Sequence, residues 1–140
     1  MHGLMVVVLT TVLFSADDSC DIEKMNGPWL LTSFTFNGVT KPGGTGVLTI
    51  EGNAVTKGGM TKGLTIGGKI TLDPGESPKE FDLQYDKFRN GTVPPLFRGV
   101  YEIEGDTMRM CYTMGPNTER PKEFKAGAGS NCRIDVYKRK

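Results

Sequence analysis

Histidine is almost missing from this sequence. The single one, His2, precedes an apolar run of signal-peptide length, so a processed chain would contain none. That lack excludes Ser-His-Asp and Cys-His nucleophilic catalysis, HExxH zinc sites and haem ligation by histidine. A charge excess is missing too: 17 Lys and Arg face 16 Asp and Glu, for a net charge of +1. Such a chain has no field to steer a polyanion, so nucleic acid is not expected as a partner. No apolar run reaches the ~20 residues of a membrane helix, so no transmembrane span is expected. No stretch beyond about ten residues keeps a helical period. The three cysteines show no paired spacing, so neither a metal site nor a cofactor is expected.

Glycine and proline are abundant, with 19 and 8 residues in a chain of 140. Spread between short apolar runs, they suit a single all-β domain with many turns. Period-two alternation and turn signals give strands near 29–36, 46–51, 54–57, 80–85, 97–103, 108–114 and 132–138. Asn37-Gly38 marks a turn that Pro42-Gly43-Gly44 extends into a loop. Residues 62–66 and 69–73 read as strands split by Gly67-Gly68. The clearest alternation places Phe81, Leu83 and Tyr85 on one face. About eight short strands at this spacing predict an antiparallel up-and-down barrel or a sandwich.

Residues 4–16, LMVVVLTTVLFSA, have the length of a signal-peptide core and are followed by Asp17-Asp18. The expected organisation is a signal peptide over 1–16, a polar lead-in of one helical turn over 17–26, and a barrel over 27–140. A secreted, periplasmic or cell-envelope location follows from that reading. Against it, residues 1–3 carry no Lys or Arg, and a cut after Ala16 leaves bulky Phe14 where a small residue is preferred. A buried segment of the domain is the alternative. Asp17-Asp18-Ser19 before Cys20 is a poor lipobox, so no lipid anchor is expected.

Several motifs dissolve on inspection. Gly63 to Lys69, GLTIGGK, matches most of a phosphate-binding loop. Ile70 stands where a magnesium-binding hydroxyl is needed, and a strand follows where a helix must. Asn90-Gly91-Thr92 is a formal glycosylation sequon and predicts a surface loop. Asp82, Asp86, Glu102, Glu104 and Asp106 could pair for hydrolysis, but Glu102 and Glu104 alternate with Tyr101 and Ile103 and should face solvent. Cys111 and Cys132 are a candidate disulfide between the last two strands. Phase opposes it: Cys111 lies opposite the Met108, Met110, Tyr112 face, whereas Cys132 shares phase with Ile134 and Val136. A bulge near Asn131 would restore the match. Trp29, Phe81, Tyr85, Phe97, Tyr101 and Tyr112 fall on inner faces, where they either fill the core or line a ligand cavity.

The order of several short motifs resembles a family. Gly27-x-Trp29 opens the first strand as in lipocalins. It is followed by Asn37-Gly38, Asp73-Pro74, Pro78-Lys79, Asp82-Leu83, Gly99-x-Tyr101, Gly105-Asp106-Thr107-Met108, Cys111 and Arg120-Pro121-x-x-Phe124. Together these look like a small, uncharacterised lipocalin-like domain abundant in planctomycete bacteria, over roughly residues 25–138. The resemblance implies an eight-stranded up-and-down barrel and no particular reaction. It also implies Gly27, Trp29 and Arg133 as structural residues, with Arg133 or Arg139 lying over the Trp29 ring. The expected function is a non-enzymatic binding module that holds a small apolar ligand, or none. The alternative is a protein-interaction or inhibitor domain acting through loops 87–96 and 115–131.

Overall fold

A computed structural model of the chain describes residues 16–59, 65–87, 90–114 and 119–140, with 16–20 described by backbone alone. The helix α1 (Ala16–Met25) leads into β1 (Gly27–Phe36), β2 (Val39–Pro42), β3 (Val47–Glu51), β4 (Ala54–Gly58) and β5 (Ile66–Asp73). The strands β6 (Lys79–Tyr85), β7 (Phe97–Glu104), β8 (Thr107–Thr113) and β9 (Cys132–Arg139) complete the sheet. All neighbours pair antiparallel, and β9 returns to pair with β1. The result is the closed, eight-position antiparallel barrel that the strand spacing predicts. The β9–β1 pairing closes the barrel, and among the described residues β2 pairs on one side only, with β1.

Among the described residues nine strands fill eight positions, because β2 and β3 share one. β2 pairs with residues 33–36 of β1 and β3 with residues 27–30. The sequence suggested a loop where β2 runs. Asn37 and Gly38, with φ of 49° and 82°, instead make a two-residue hairpin turn. Gly43 then permits the break between β2 and β3, because a Cβ there would overlap the Leu31 carbonyl. The Gly67-Gly68 pair is not a turn either, since both residues lie inside β5. A Cβ on Gly68 would come within 2.9 Å of the Tyr85 Cα, so this glycine marks a close approach of β5 to β6. Residues 62–64 of the expected preceding strand lie outside the described residues.

A bulge sets which side chains of β1 point inward. Leu31 opposes Tyr137 but Ser33 opposes Val136, leaving Thr32 as an extra residue. Its hydroxyl donates to the Val136 carbonyl at 3.0 Å. The inward phase therefore passes from Trp29 and Leu31 to Phe34, which opposes Asp135.

One end of the barrel is closed by α1. This helix is longer than the single polar turn expected, and its Asp21 and Met25 are buried. The Trp29 indole N–H donates to the Met25 carbonyl at 2.7 Å. Asp21 accepts from the Tyr101 hydroxyl at 2.8 Å and the Lys79 ammonium at 2.9 Å. Arg139, at the end of β9, lies 4.3 Å from the Trp29 ring centroid and donates to the carbonyls of Lys24 and Asn26. The arginine over the tryptophan is thus Arg139. Arg133, the expected structural residue, lies instead over Phe34, 4.2 Å from its ring centroid. Five residues of β9 separate the two arginines, so they serve different ends of the barrel.

The outside of β7 and β8 is covered by the segment 119–131. Arg120 fastens it, donating through Nη1 to the Phe81 and Gly99 carbonyls at 2.7 and 2.9 Å and through Nη2 to Asp82 at 2.7 Å. Beneath it Cys111 is fully buried, with its thiol near the Glu123 and Lys125 carbonyls. Cys111 and Cys132 are both free thiols. Phase does not separate them: Cys111 opposes Ile134 and Thr113 opposes Cys132, so both cysteines face outward. The expected conflict came from taking Ile134 and Val136 as inward, where β9 actually turns its polar face to the interior. Among the described residues no helix is long and apolar enough to cross a membrane.

Candidate functional site: a polar-floored cavity at the open end

The chain reverses direction at each connection except the break between β2 and β3, so the hairpins after β3, β5 and β7 gather at the helix-capped end. β4, β6 and β8 end at the other end, where the described side chains leave the interior partly unfilled. A partly open cavity of about 220 Å³ lies there. Its apolar wall is Leu48 of β3, Leu83 of β6, Phe97 of β7 and Met110 of β8, with Met114 just beyond β8. Tyr85, Tyr112 and Tyr137 add rings that carry hydroxyls, and Lys57, Arg133 and Asp135 add charge. Phe97 anchors the aromatic wall. Its ring meets Tyr85 and Tyr112 edge-on, with centroids 6.0 and 5.4 Å apart.

Asp135 organises the polar side. It is 1% exposed, so its charge must be met from within the protein. Arg133 Nε donates to one carboxylate oxygen at 2.6 Å. The Tyr112 hydroxyl donates to the other at 2.7 Å, and the Tyr137 hydroxyl reaches the same atom at 3.4 Å. Burial, then the neighbouring Asp135 charge, pushes the Tyr112 and Tyr137 phenols well above their ordinary range. Tyr85 is raised for the same two reasons. The phenols therefore stay protonated and keep donating. Lys57 lies across the cavity on β4, and its ammonium forms no hydrogen bond or ion pair among the described residues. Burial lowers its pKa, opposed by Asp135 and aided by Arg133.

The six aromatic residues expected on inner faces divide between two regions. Tyr85, Phe97 and Tyr112 line the cavity. Trp29, Phe81 and Tyr101 are buried in the filled core, with Trp29 and Tyr101 tied to the helix-capped end. Sequence reading missed Lys57, Asp135 and Tyr137, and gave Arg133 the wrong neighbour. The available signal was the alternation Arg133, Asp135, Tyr137 on β9, hidden by the more apolar Ile134 and Val136 in the other phase.

Other motifs are placed plainly. Ile66 to Lys69 of the near-P-loop run within β5, so no helix N-terminus faces a phosphate there. Asn90, Gly91 and Thr92 lie exposed on a loop, with the Asn90 side chain accepting from the Thr92 N–H at 3.0 Å. Glu102 pairs with Arg109 on the outer face. Among the described residues no cluster of three or more His, Cys, Asp or Glu could hold a metal ion. Among the described residues, Phe36, Val39, Val93 and Leu96 are large apolar side chains exposed at the cavity end. No family model, curated protein or solved structure matches this chain.

Proposed function

We propose that this barrel is a non-enzymatic binding module, similar to a small lipocalin-like domain, that holds one small, largely apolar ligand at its open end. The observation that carries this reading is the cavity itself, an apolar and aromatic pocket with a few convergent polar groups on a rigid barrel. Gly27-x-Trp29 at the start of β1, covered by Arg139 from the last strand, supports the lipocalin-like reading. At about 220 Å³ the space is below the usual ~300–1,000 Å³ of drug-sized sites, so the ligand is smaller than a long-chain lipid. An exported site of action accords with the apolar run at 4–16.

The test is native mass spectrometry of protein purified from its source, joined to an NMR screen with small aromatic compounds. One bound small molecule per chain, or shifts confined to Met110, Tyr112 and their neighbours, is the expected result. A bare chain with no shifts across the screen overturns the reading. The exposed Phe36, Val39, Val93 and Leu96 favour a second reading, in which the open end meets a protein partner. Polar substitution of Val93 and Leu96 then abolishes partner capture while leaving small-molecule binding intact.

A further inference from the structure

We propose that the ligand is a small aromatic or apolar monoanion, with its acidic group set against Lys57 and Arg133. This rests on the binding-module reading and names the ligand's chemical class. The cavity wall contains two cations and one carboxylate. Asp135 is already engaged with Arg133 and two tyrosine hydroxyls. The Lys57 ammonium makes no hydrogen bond or ion pair among the described residues and feels Asp135 only at longer range. One anionic group entering the cavity therefore balances its charge. A neutral polar head finds few free groups, because the Tyr112 and Tyr137 hydroxyls both point at Asp135. Charge is then the main source of discrimination, since desolvated charges must be paired.

Volume narrows the class further. A dry cavity of ~150 Å³ accepts a benzene ring. The observed ~220 Å³ leaves space for about two waters' worth of additional atoms, at roughly 30 Å³ each. A single ring with a short acidic arm fits this space. The ring has Leu83, Phe97 and Met110 for contacts, and edge-on aromatic neighbours are already arranged around Phe97.

The probes are 3-phenylpropionate and its neutral amide, titrated into the full chain by calorimetry or NMR at neutral pH. The acid is expected to bind at least tenfold more tightly than the amide. Lys57→Met is expected to remove that preference by weakening the acid at least tenfold, with the amide changed less than threefold. Met matches the lysine stem in length, and the near-UV spectrum checks that the fold is kept. Lys57→Gln is the second variant, with the same expected loss. Equal binding of acid and amide by the wild type overturns the anion assignment and leaves the apolar-ligand reading standing. An unchanged acid preference in both variants overturns the role of Lys57. Failure of both probes to bind up to millimolar concentration overturns the two readings together.

Discussion

Replacing Trp29 by Ala tests whether the barrel is plugged at its helix-capped end. Trp29 is 0% exposed and packs with Met25, Leu48 and Ile50 in the central core. Large aromatic-to-Ala changes in a core cost about 3–5 kcal/mol through lost transfer energy and the residual cavity. Here the indole also satisfies the Met25 carbonyl at 2.7 Å, a bond of about 1 kcal/mol whose loss orphans the end of α1. Arg139 stacks on the ring at 4.3 Å while its side chain is 35% exposed, which limits that contact to about 0.5–1 kcal/mol. These terms overlap, so the expected loss is about 4–5 kcal/mol. That is a large share of the ~5–15 kcal/mol that stabilises a typical domain. Urea unfolding followed by far-UV circular dichroism is the assay, because the variant has no tryptophan left to report. Trp29→Phe keeps most of the volume and loses the N–H donor, so it should cost about 1–2 kcal/mol. A double-mutant cycle with Arg139→Met should return a coupling of about 0.5–1 kcal/mol, and the same cycle with Arg133 none. A Trp29→Ala loss below about 1 kcal/mol refutes the plug.

Two further predictions concern groups whose acidity the fold alters. The Cys111 thiol is pushed from 9.0 up to about 11, first by burial. Two units lower its thiolate fraction about a hundredfold near pH 8. In a Cys20→Ser, Cys132→Ser variant, native Cys111 should be alkylated by iodoacetamide at least tenfold more slowly than in urea; equal rates would falsify the burial of the thiol beneath 119–131. Tyr85, Tyr112 and Tyr137, three of the four tyrosines, have phenols raised above the ordinary 10. The unfolded chain ionises first, so this stability is whole below pH 10 and is lost as pH rises beyond it. An ultraviolet titration should show these three tyrosines ionising only together with unfolding. Independent ionisation of all four near pH 10 contradicts the buried network.

The barrel was legible because its evidence is periodic. Phe81, Leu83 and Tyr85 alternate cleanly, and in the structure the inward face of β6 is that set. Elements that depend on distant partners were not legible. β2 has four exposed residues and no apolar face, so it exists only because the Asn37-Gly38 turn folds it onto β1. The helix reads as polar because its buried Asp21 looks like any surface acid. Tyr101 and Lys79, which compensate it, lie 80 and 58 residues away. The cavity suffered most. An inward Arg133, Asp135 and Tyr137 contradicts the rule that the apolar phase of a strand faces the core. Local rules fail most often at functional sites, and this strand breaks the rule where the core is incomplete.

Lys57 tests whether that break has a cost in stability. Its ammonium shares the cavity with Leu48 and Leu83 and forms no ion pair among the described residues. Burial lowers its pKa from 10.5, so the folded state holds its proton less firmly than the unfolded chain. A lowered lysine pKa destabilises the fold at every pH where the free side chain is charged. That penalty is relieved as pH rises toward the unfolded value. Lys57→Met removes the charge and keeps the stem. It should therefore stabilise the ligand-free protein by about 0.5–2 kcal/mol at pH 7, the usual return from relieving a functional compromise. The gain should shrink as pH approaches 10, because the wild-type penalty fades there while the methionine is indifferent. Thermal unfolding at pH 7 and pH 9.5 measures both. A destabilised variant at pH 7 means that the ammonium is firmly paired in solution and that its place in the cavity is structural. The opposite result, greater stability with the acid preference gone, shows that the barrel keeps a costly charge at its open end for what it binds.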